Sequence, residues 1–327
     1  MAARCPDAMR EEVPAPKGDR ILNWDRLRFL AFLDIASTHT HGLHAFGGVG
    51  LPMFLMLRFA LGARRPTPLT ASQMWRERAL KLLLPWAVWS VAFALLNAAI
   101  ALHHSGSWHR GVFEPLMLLY GPTQHLWFLP FAAVCGVAVA IADRVTRRFS
   151  SRSVIVASFL TGGLALAVIC TGTFRTPTFP FYVWLFGLPS LPLGLALGRL
   201  LATSRRDRPA WSIVLGAAAV GLLAYALARR GGGPVQAIEP LLRYSIATAL
   251  IAGAAMAPEF AERVTPALTP LLLGAYLLQF TVYTQTVLRI ELRTGIRLGT
   301  GTALLASVPL TFVTVALLRR TRLKAVL

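Results

Sequence analysis

Charge is scarce in this chain. Only 14% of its 327 residues are Asp, Glu, Lys or Arg, against about 25% in a typical soluble domain. Acids are the scarcer sign, 14 against 33 basic residues, so the formal net charge is +19. Cysteine is limited to Cys5, Cys135 and Cys170, too few and too scattered for a disulfide framework or a thiolate metal site. Histidine is missing after His125, and internal repeats and low-complexity tracts are missing throughout. The run Gly231-Gly232-Gly233-Pro234 has no following Lys and no strand-to-helix context, so it reads as a loop breaker and not a phosphate-binding loop. The first 22 residues hold Pro14, Pro16 and four basic residues. They lack the apolar core of a signal peptide, so the first apolar run is expected to act as an uncleaved anchor.

Long apolar runs are what the chain has instead. It is 55% hydrophobic, with a mean hydropathy of +0.59. Ten runs are long enough to cross, or nearly cross, about 30 Å of hydrocarbon: 27–45, 47–63, 82–102, 125–142, 153–171, 181–199, 211–228, 241–257, 267–287 and 299–318. The second contains Arg58, and the sixth is interrupted by Pro189 and Pro192. The predicted fold is therefore all-α, a polytopic membrane bundle of about ten helices. If the N-terminus is cytoplasmic, 24 of the 33 basic residues fall on the inner side, eight on the outer side, and Arg58 within a span. That asymmetry predicts both termini in the cytoplasm and an even number of spans. The expected organisation is a polar basic tail (1–22), a ten-span domain (23–318) and a short basic tail (319–327). Basic residues recur in alternate loops and form no continuous aromatic-interleaved patch, which argues against nucleic acid as a partner.

The stretch from Asn23 to Arg65 concentrates the chemistry. Its first run carries Asp34 and His39, the chain turns at Gly47-Gly48, and a second run descends to Arg64 and Arg65. Ionisable groups inside a span are functional candidates by default. Arg28 and His39 are eleven residues apart, which is roughly three helical turns and about 16 Å of rise, so they share a face. A buried neutral imidazole bonded to a backbone carbonyl is the alternative for His39; the Arg28 spacing favours function. Asp34 and Arg58 fall at similar depths on neighbouring antiparallel helices, so a structural ion pair is expected. The other reading has Arg58 reaching the membrane edge and Asp34 bonding Thr38. His103, His104 and His109 read as solvated interfacial residues. His41 and His44 share a face, but Glu114 is the sole outer acid nearby, which argues against a metal.

Further along, Trp75 to Trp86 reads WRERALKLLLPW. Arg78 and Lys81, three apart at the start of the third span, can clamp the phosphates of an anionic molecule, with Arg76 beside them. Taken alone, such a pair is more often a positive-inside anchor. His125-Leu-Trp127-Phe-Leu129 opens the fourth span, and Tyr276 and Gln279 share a face of the ninth.

Asp25-x-x-Arg28, Arg28-x10-His39, Leu51-Pro-Met-Phe54, Arg78-x-x-Lys81 followed by Pro85, the HLWFL stretch and Tyr276-Leu-Leu occur in this order. Together they resemble the acyltransferase family 3 membrane proteins, from about Asn23 to Gln285. The resemblance implies a bacterial inner-membrane enzyme of about ten spans that acylates carbohydrates, lipid-linked glycans or glycosylated small molecules. The donor it implies is acetyl-CoA or another acyl-CoA, a co-substrate and not a permanently bound cofactor. It further implies that Arg28 and His39 belong to the catalytic motif and that Arg78 and Lys81 meet the donor. Three positions depart from the family pattern: Arg58-Phe59 replaces a Ser-Gly, Gln279 replaces a His, and Lys81 replaces a second Arg.

The expected activity is O-acyl transfer, with His39 as general base. Arg78, Lys81, Arg76 and Arg28 would hold the donor, and His125, Trp127, Tyr276 and Gln279 the acceptor. A glycan or lipid transporter is the competing reading, since Pro189 and Pro192 break a span; no matching half is evident. An inactive relative serving as a scaffold is the third, motivated by Arg58 and Gln279.

Overall fold

The computed structural model describes residues 22–41, 48–64, 70–106, 114–171, 178–202, 216–217, 220–221, 238–257 and 264–327. Every element among them is helical. Helix α1 (Leu22–His41) is followed by α2 (Gly50–Ala63) and α3 (Ala71–Arg78), and a π-helical turn (Ala79–Leu83) joins α3 to α4 (Leu84–Ser105). Next come α5 (Met117–Tyr120), a 3-10 turn (Gln124–Trp127), α6 (Phe128–Thr146), α7 (Ser151–Cys170), α8 (Phe181–Gly187) and α9 (Ser190–Ala202). The last third holds α10 (Glu239–Met256), α11 (Val264–Leu268), a 3-10 turn (Thr269–Leu271) and α12 (Leu272–Tyr283). A second π-helical turn (Thr284–Leu288) leads into α13 (Arg289–Thr294), and α14 (Thr300–Leu318) and a final 3-10 turn (Arg322–Val326) close the chain.

Six helical stretches are long and apolar enough to cross a membrane: Ser72–His103, His125–Thr146, Ser151–Cys170, Phe181–Leu200, Thr269–Thr294 and Thr300–Leu318. The other expected spans differ in specific ways. Helix α2 is apolar but has only 14 residues. Helices α1 and α10 have 20 and 18 residues but carry more polar side chains. The run 211–228 lies almost wholly outside the described residues. The sixth run breaks between α8 and α9, next to Pro189. Pro192 sits in the first turn of α9, where a missing N–H leaves no helical bond unmade.

Helix α1 stands among α2, α10, α12 and α14. At one end the Asn23 amide donates to the Ala254 and Ala257 carbonyls, both at 3.1 Å. These lie at the C-terminus of α10, where carbonyls lack helical partners. Arg64, at the end of α2, covers the Trp24 ring at 5.6 Å. A second buried polar cluster ties α6 to α9 at this same end. Asp143 is 4% exposed and receives Arg147 at 3.0 Å and Arg199 at 2.8 Å. Arg199 also donates to the Asp143 carbonyl at 2.9 Å.

The Asp34 carboxylate accepts the Gly50 N–H at 2.7 Å, at the start of α2. Arg58 lies eight residues further along that helix, about 12 Å away in rise. Thr38 does bond Asp34, but its hydroxyl donates to the Asp34 backbone carbonyl, at 3.1 Å. Gly50 permits the close approach of α1: a Cβ there would stand 2.6 Å from the Ala31 carbonyl oxygen and 2.8 Å from the Asp34 Cβ.

The same device joins α9 to α2. Gly194 and Gly198 form a G-x-x-x-G stripe on α9, a pattern that lets helix backbones meet in membranes. A Cβ on Gly194 would stand 2.9 Å from the Met56 carbonyl oxygen, and one on Gly198 would stand 2.6 Å from that of Ala60. Overpacking of this kind typically costs about 1–3 kcal/mol. Gly198→Leu should therefore lower the thermal unfolding midpoint in detergent. Gly163→Ala on α7, where a Cβ would meet nothing within 4 Å, should leave the midpoint unchanged or slightly raised.

Candidate active site

His39 lies at the end of α1 opposite Asn23, three turns beyond Arg28. Arg28 is positioned from below by Asp25, one turn earlier, at 3.4 Å. Around the His39 ring stand His125, at 6.3 Å between centroids, and Phe280, at 6.1 Å, both edge-on. His125 in turn contacts Phe93 of α4 at 5.4 Å, Phe280 at 5.7 Å and Tyr276 at 6.3 Å. Three stretches of chain distant in sequence thus enclose the two imidazoles.

The two histidines are held very differently. His125 is buried, at 3% exposure, and its Nε2 lies 3.2 Å from the Leu277 carbonyl oxygen. A carbonyl can only accept, so Nε2 carries the proton. The Tyr276 hydroxyl donates to the His125 carbonyl, which pins the start of α6 to α12. The bonding pattern considered for His39 as a bland alternative thus belongs to His125. His39 is half-buried, and among the described residues it makes ring contacts only. Both of its nitrogens remain open to another molecule.

Gln279 adds a second open group. Its side chain is 5% exposed, yet neither its amide nitrogen nor its oxygen has a hydrogen-bond partner among the described residues. It sits three residues after Tyr276 and four before Tyr283, on one face of α12. An unsatisfied buried amide costs about 1–3 kcal/mol, so such a group is retained where something else completes it.

At the other end of the bundle Arg78 and Lys81 stand in different surroundings. Arg78 lies against α6 at Gly136, where a Cβ would stand 2.9 Å from its Nε. Lys81 is 69% exposed and pairs with Glu77 at 3.1 Å, and Arg76 is exposed. The cause is the wide turn between Arg78 and Lys81. Leu84 N–H bonds the Ala79 carbonyl, five residues back, so residues three apart no longer stack. Pro85 has no N–H to offer the Lys81 carbonyl, so an ordinary α-turn cannot close there.

The family model for the acyltransferase domain matches residues 21–320, nearly the whole chain. The protein belongs to acyltransferase family 3. Neither a curated protein nor a solved structure matches it. This acyltransferase-family chain therefore carries its membrane helices and its two-histidine centre within one matched domain.

Of the residues singled out in sequence, His39, His125 and Tyr276 come together, and Gln279 shares the Tyr276 face. Trp127 packs on Phe128 and Phe131, at 6.0 and 5.7 Å, inside the aromatic core. His103 is exposed. His44 and His109 lie outside the described residues, as do the side chains of His41 and His104. Phe93 and Phe280 were not singled out. Phe93 shares a face with Trp86, Ser90 and Asn97 at helical spacing, the signal that linked Arg28 to His39.

The unpartnered amide makes a stability prediction. Gln279→Met removes two unsatisfied polar atoms at similar volume, so the purified, ligand-free protein should melt at the same or a higher temperature. A marked fall would mean that the amide is bonded within the fold.

Proposed function

We propose that this protein transfers an acetyl group, or another acyl group, from its CoA thioester to a hydroxyl of a carbohydrate, lipid-linked glycan or glycosylated small molecule. It acts as a multi-pass enzyme of the inner membrane. The nine described helices that match expected spans, α8 and α9 counting as one, together with the run 211–228, make ten crossings with both termini in the cytoplasm. The carrying observation is the His39 imidazole, half-buried and free of hydrogen bonds among the described residues, in ring contact with His125 and Phe280.

The chemistry follows from that arrangement. A neutral imidazole nitrogen of His39 accepts the proton of the acceptor hydroxyl as its oxygen attacks the thioester carbon. The C–S bond breaks, and the thiolate takes the proton back from the imidazolium, which restores His39. His125 is instead held in place by its bonds to Leu277 and Tyr276. Its buried ring, with those of Phe93 and Phe280, shapes the cavity wall and excludes water from the thioester. Gln279 offers a donor and an acceptor to acceptor hydroxyls. The donor's phosphates are held from the cytoplasmic end by Arg78, with Arg28 on the His39 face and Arg76 and Lys81 on the outer rim. The CoA thioester is a co-substrate and leaves as free CoA; none is held permanently.

His39→Ala should reduce transfer from labelled acetyl-CoA by about 10²–10⁴-fold, the usual contribution of a general base, while the melting temperature stays near that of the parent. A folded variant with full activity would remove His39 from the mechanism.

The two inner cations should separate kinetically. Arg78→Ala should raise the KM for acetyl-CoA clearly more than Lys81→Ala does, since Lys81 is exposed and already paired with Glu77. Equal effects, or a rise confined to the acceptor KM, would show that Arg78 does not hold the donor.

A further inference from the structure

A cleft of about 760 Å³ opens at the His39 end of the bundle. Its walls include Thr40, Tyr283, Glu291, Arg297, Leu298 and Thr300. Thr40 follows His39 in α1. Tyr283 stands one turn beyond Gln279 and Phe280 on α12, and the Phe280 ring touches that of His39. The cleft therefore opens at Thr40, the residue after His39, and at the end of the helix that carries Phe280.

The cleft is built by two features. The π-helical turn Thr284–Leu288 turns the chain after Tyr283, and the residues after α13 fold back under Glu291. That side chain is 8% exposed, and its carboxylate accepts the Leu298 N–H at 2.8 Å. Gly295, at φ 71°, makes the reversal possible. The wall is thus fixed by a buried hydrogen bond. Its lining sets a carboxylate, a guanidinium, a phenol and hydroxyls around one space.

We infer that this cleft is the acceptor subsite, and that it takes a sugar ring whose hydroxyls are shared among Glu291, Arg297 and Thr300. The inference rests on the acyltransferase reading and gives its acceptor a place. Three observations carry it. The volume lies in the range of small-molecule sites, about 300–1,000 Å³. Opposite charges facing one space suit a ligand with many hydroxyls, each able to donate and accept, and do not suit an acyl chain. Thr40 lines the cleft and directly follows His39 in α1, so a sugar held there lies next to the residue that would act as base. Tyr283 supplies an aromatic wall for the apolar face of the ring.

Initial rates of transfer from labelled acetyl-CoA to the methyl glycosides of glucose, galactose and N-acetylglucosamine test this, with the same sugars titrated calorimetrically. Leu298→Trp fills the cleft, Arg297→Ala removes its cation, and Glu291→Gln keeps a carbonyl for the Leu298 N–H and so protects the fold. Each should raise the acceptor KM several-fold, with the acetyl-CoA KM unchanged. Sugar binding should persist in His39→Ala and vanish in Leu298→Trp. An unchanged acceptor KM in all three variants, or sugar binding that survives Leu298→Trp, overturns the cleft. Sugar binding lost in Leu298→Trp, but with no transfer by the parent protein, overturns the acyltransferase reading and leaves the cleft standing. No sugar binding and no transfer overturns both.

Discussion

The hydrogen bond from the Gly50 amide to the Asp34 carboxylate, 2.7 Å long, fixes how α1 stands against α2. Asp34 is 2% exposed, and a carboxylate that deep requires bonded partners. Gly50 supplies one because the first N–H groups of a helix have no partner within it. A hydrogen bond to a charged group contributes about 1.5–3 kcal/mol. It acts where a Cβ would have kept the helices apart. Since α1 is a rigid helix, the depth of Asp34 also sets that of His39, five residues further on. The glycine stripe on α9 then holds α2 from its other side. The position of the imidazole is thus inherited from packing well away from it.

The two histidines show how far environment decides what a residue type does. Both lie in one cluster of rings, within 6.3 Å of each other. Tyr276 and Leu277 bind His125 through its backbone and its ring, so it serves as a post between α6 and α12. No such bonds reach His39 from the described residues, and it is the more exposed of the two. A membrane interior offers no water to satisfy a polar group. The open imidazole and the amide of Gln279 are therefore the groups in this cluster with hydrogen-bonding capacity to spare.

Helix positions were legible because a span must be apolar over its whole length, and that is a property of composition. The Arg28–His39 face was legible because α1 runs unbroken between them, so helical spacing holds. Less was legible where spacing stops being uniform or where two elements meet. The bond from Gly50 to Asp34 depends on where α2 begins, which composition does not mark. The wide turn after Arg78 follows from Pro85, whose missing N–H acts one turn earlier. The Gly194-x-x-x-Gly198 stripe is plain in the sequence, but the helix that it meets is not. The cleft at the end of α12 could not be read from sequence, because its walls come from α1, α12, α13 and α14 and meet only through a loop reversal.

Both π-helical turns lie beside these unforeseen features, and the coincidence has a physical basis. A π-turn adds one residue to a helix and rotates everything after it relative to everything before. Between α3 and α4 it lets Arg78 lie on Gly136 while Phe93, further up the same rod, reaches His125. Between α12 and α13 it leaves Tyr276 and Phe280 on the side of the two histidines and directs Glu291 to the Leu298 amide. Each turn uncouples one functional face from the next along a continuous rod. This is a rigid alternative to a loop, which would expose backbone groups that a membrane cannot solvate. The wide turns are therefore what allow one helical rod to serve two places about a membrane half-thickness apart without being cut.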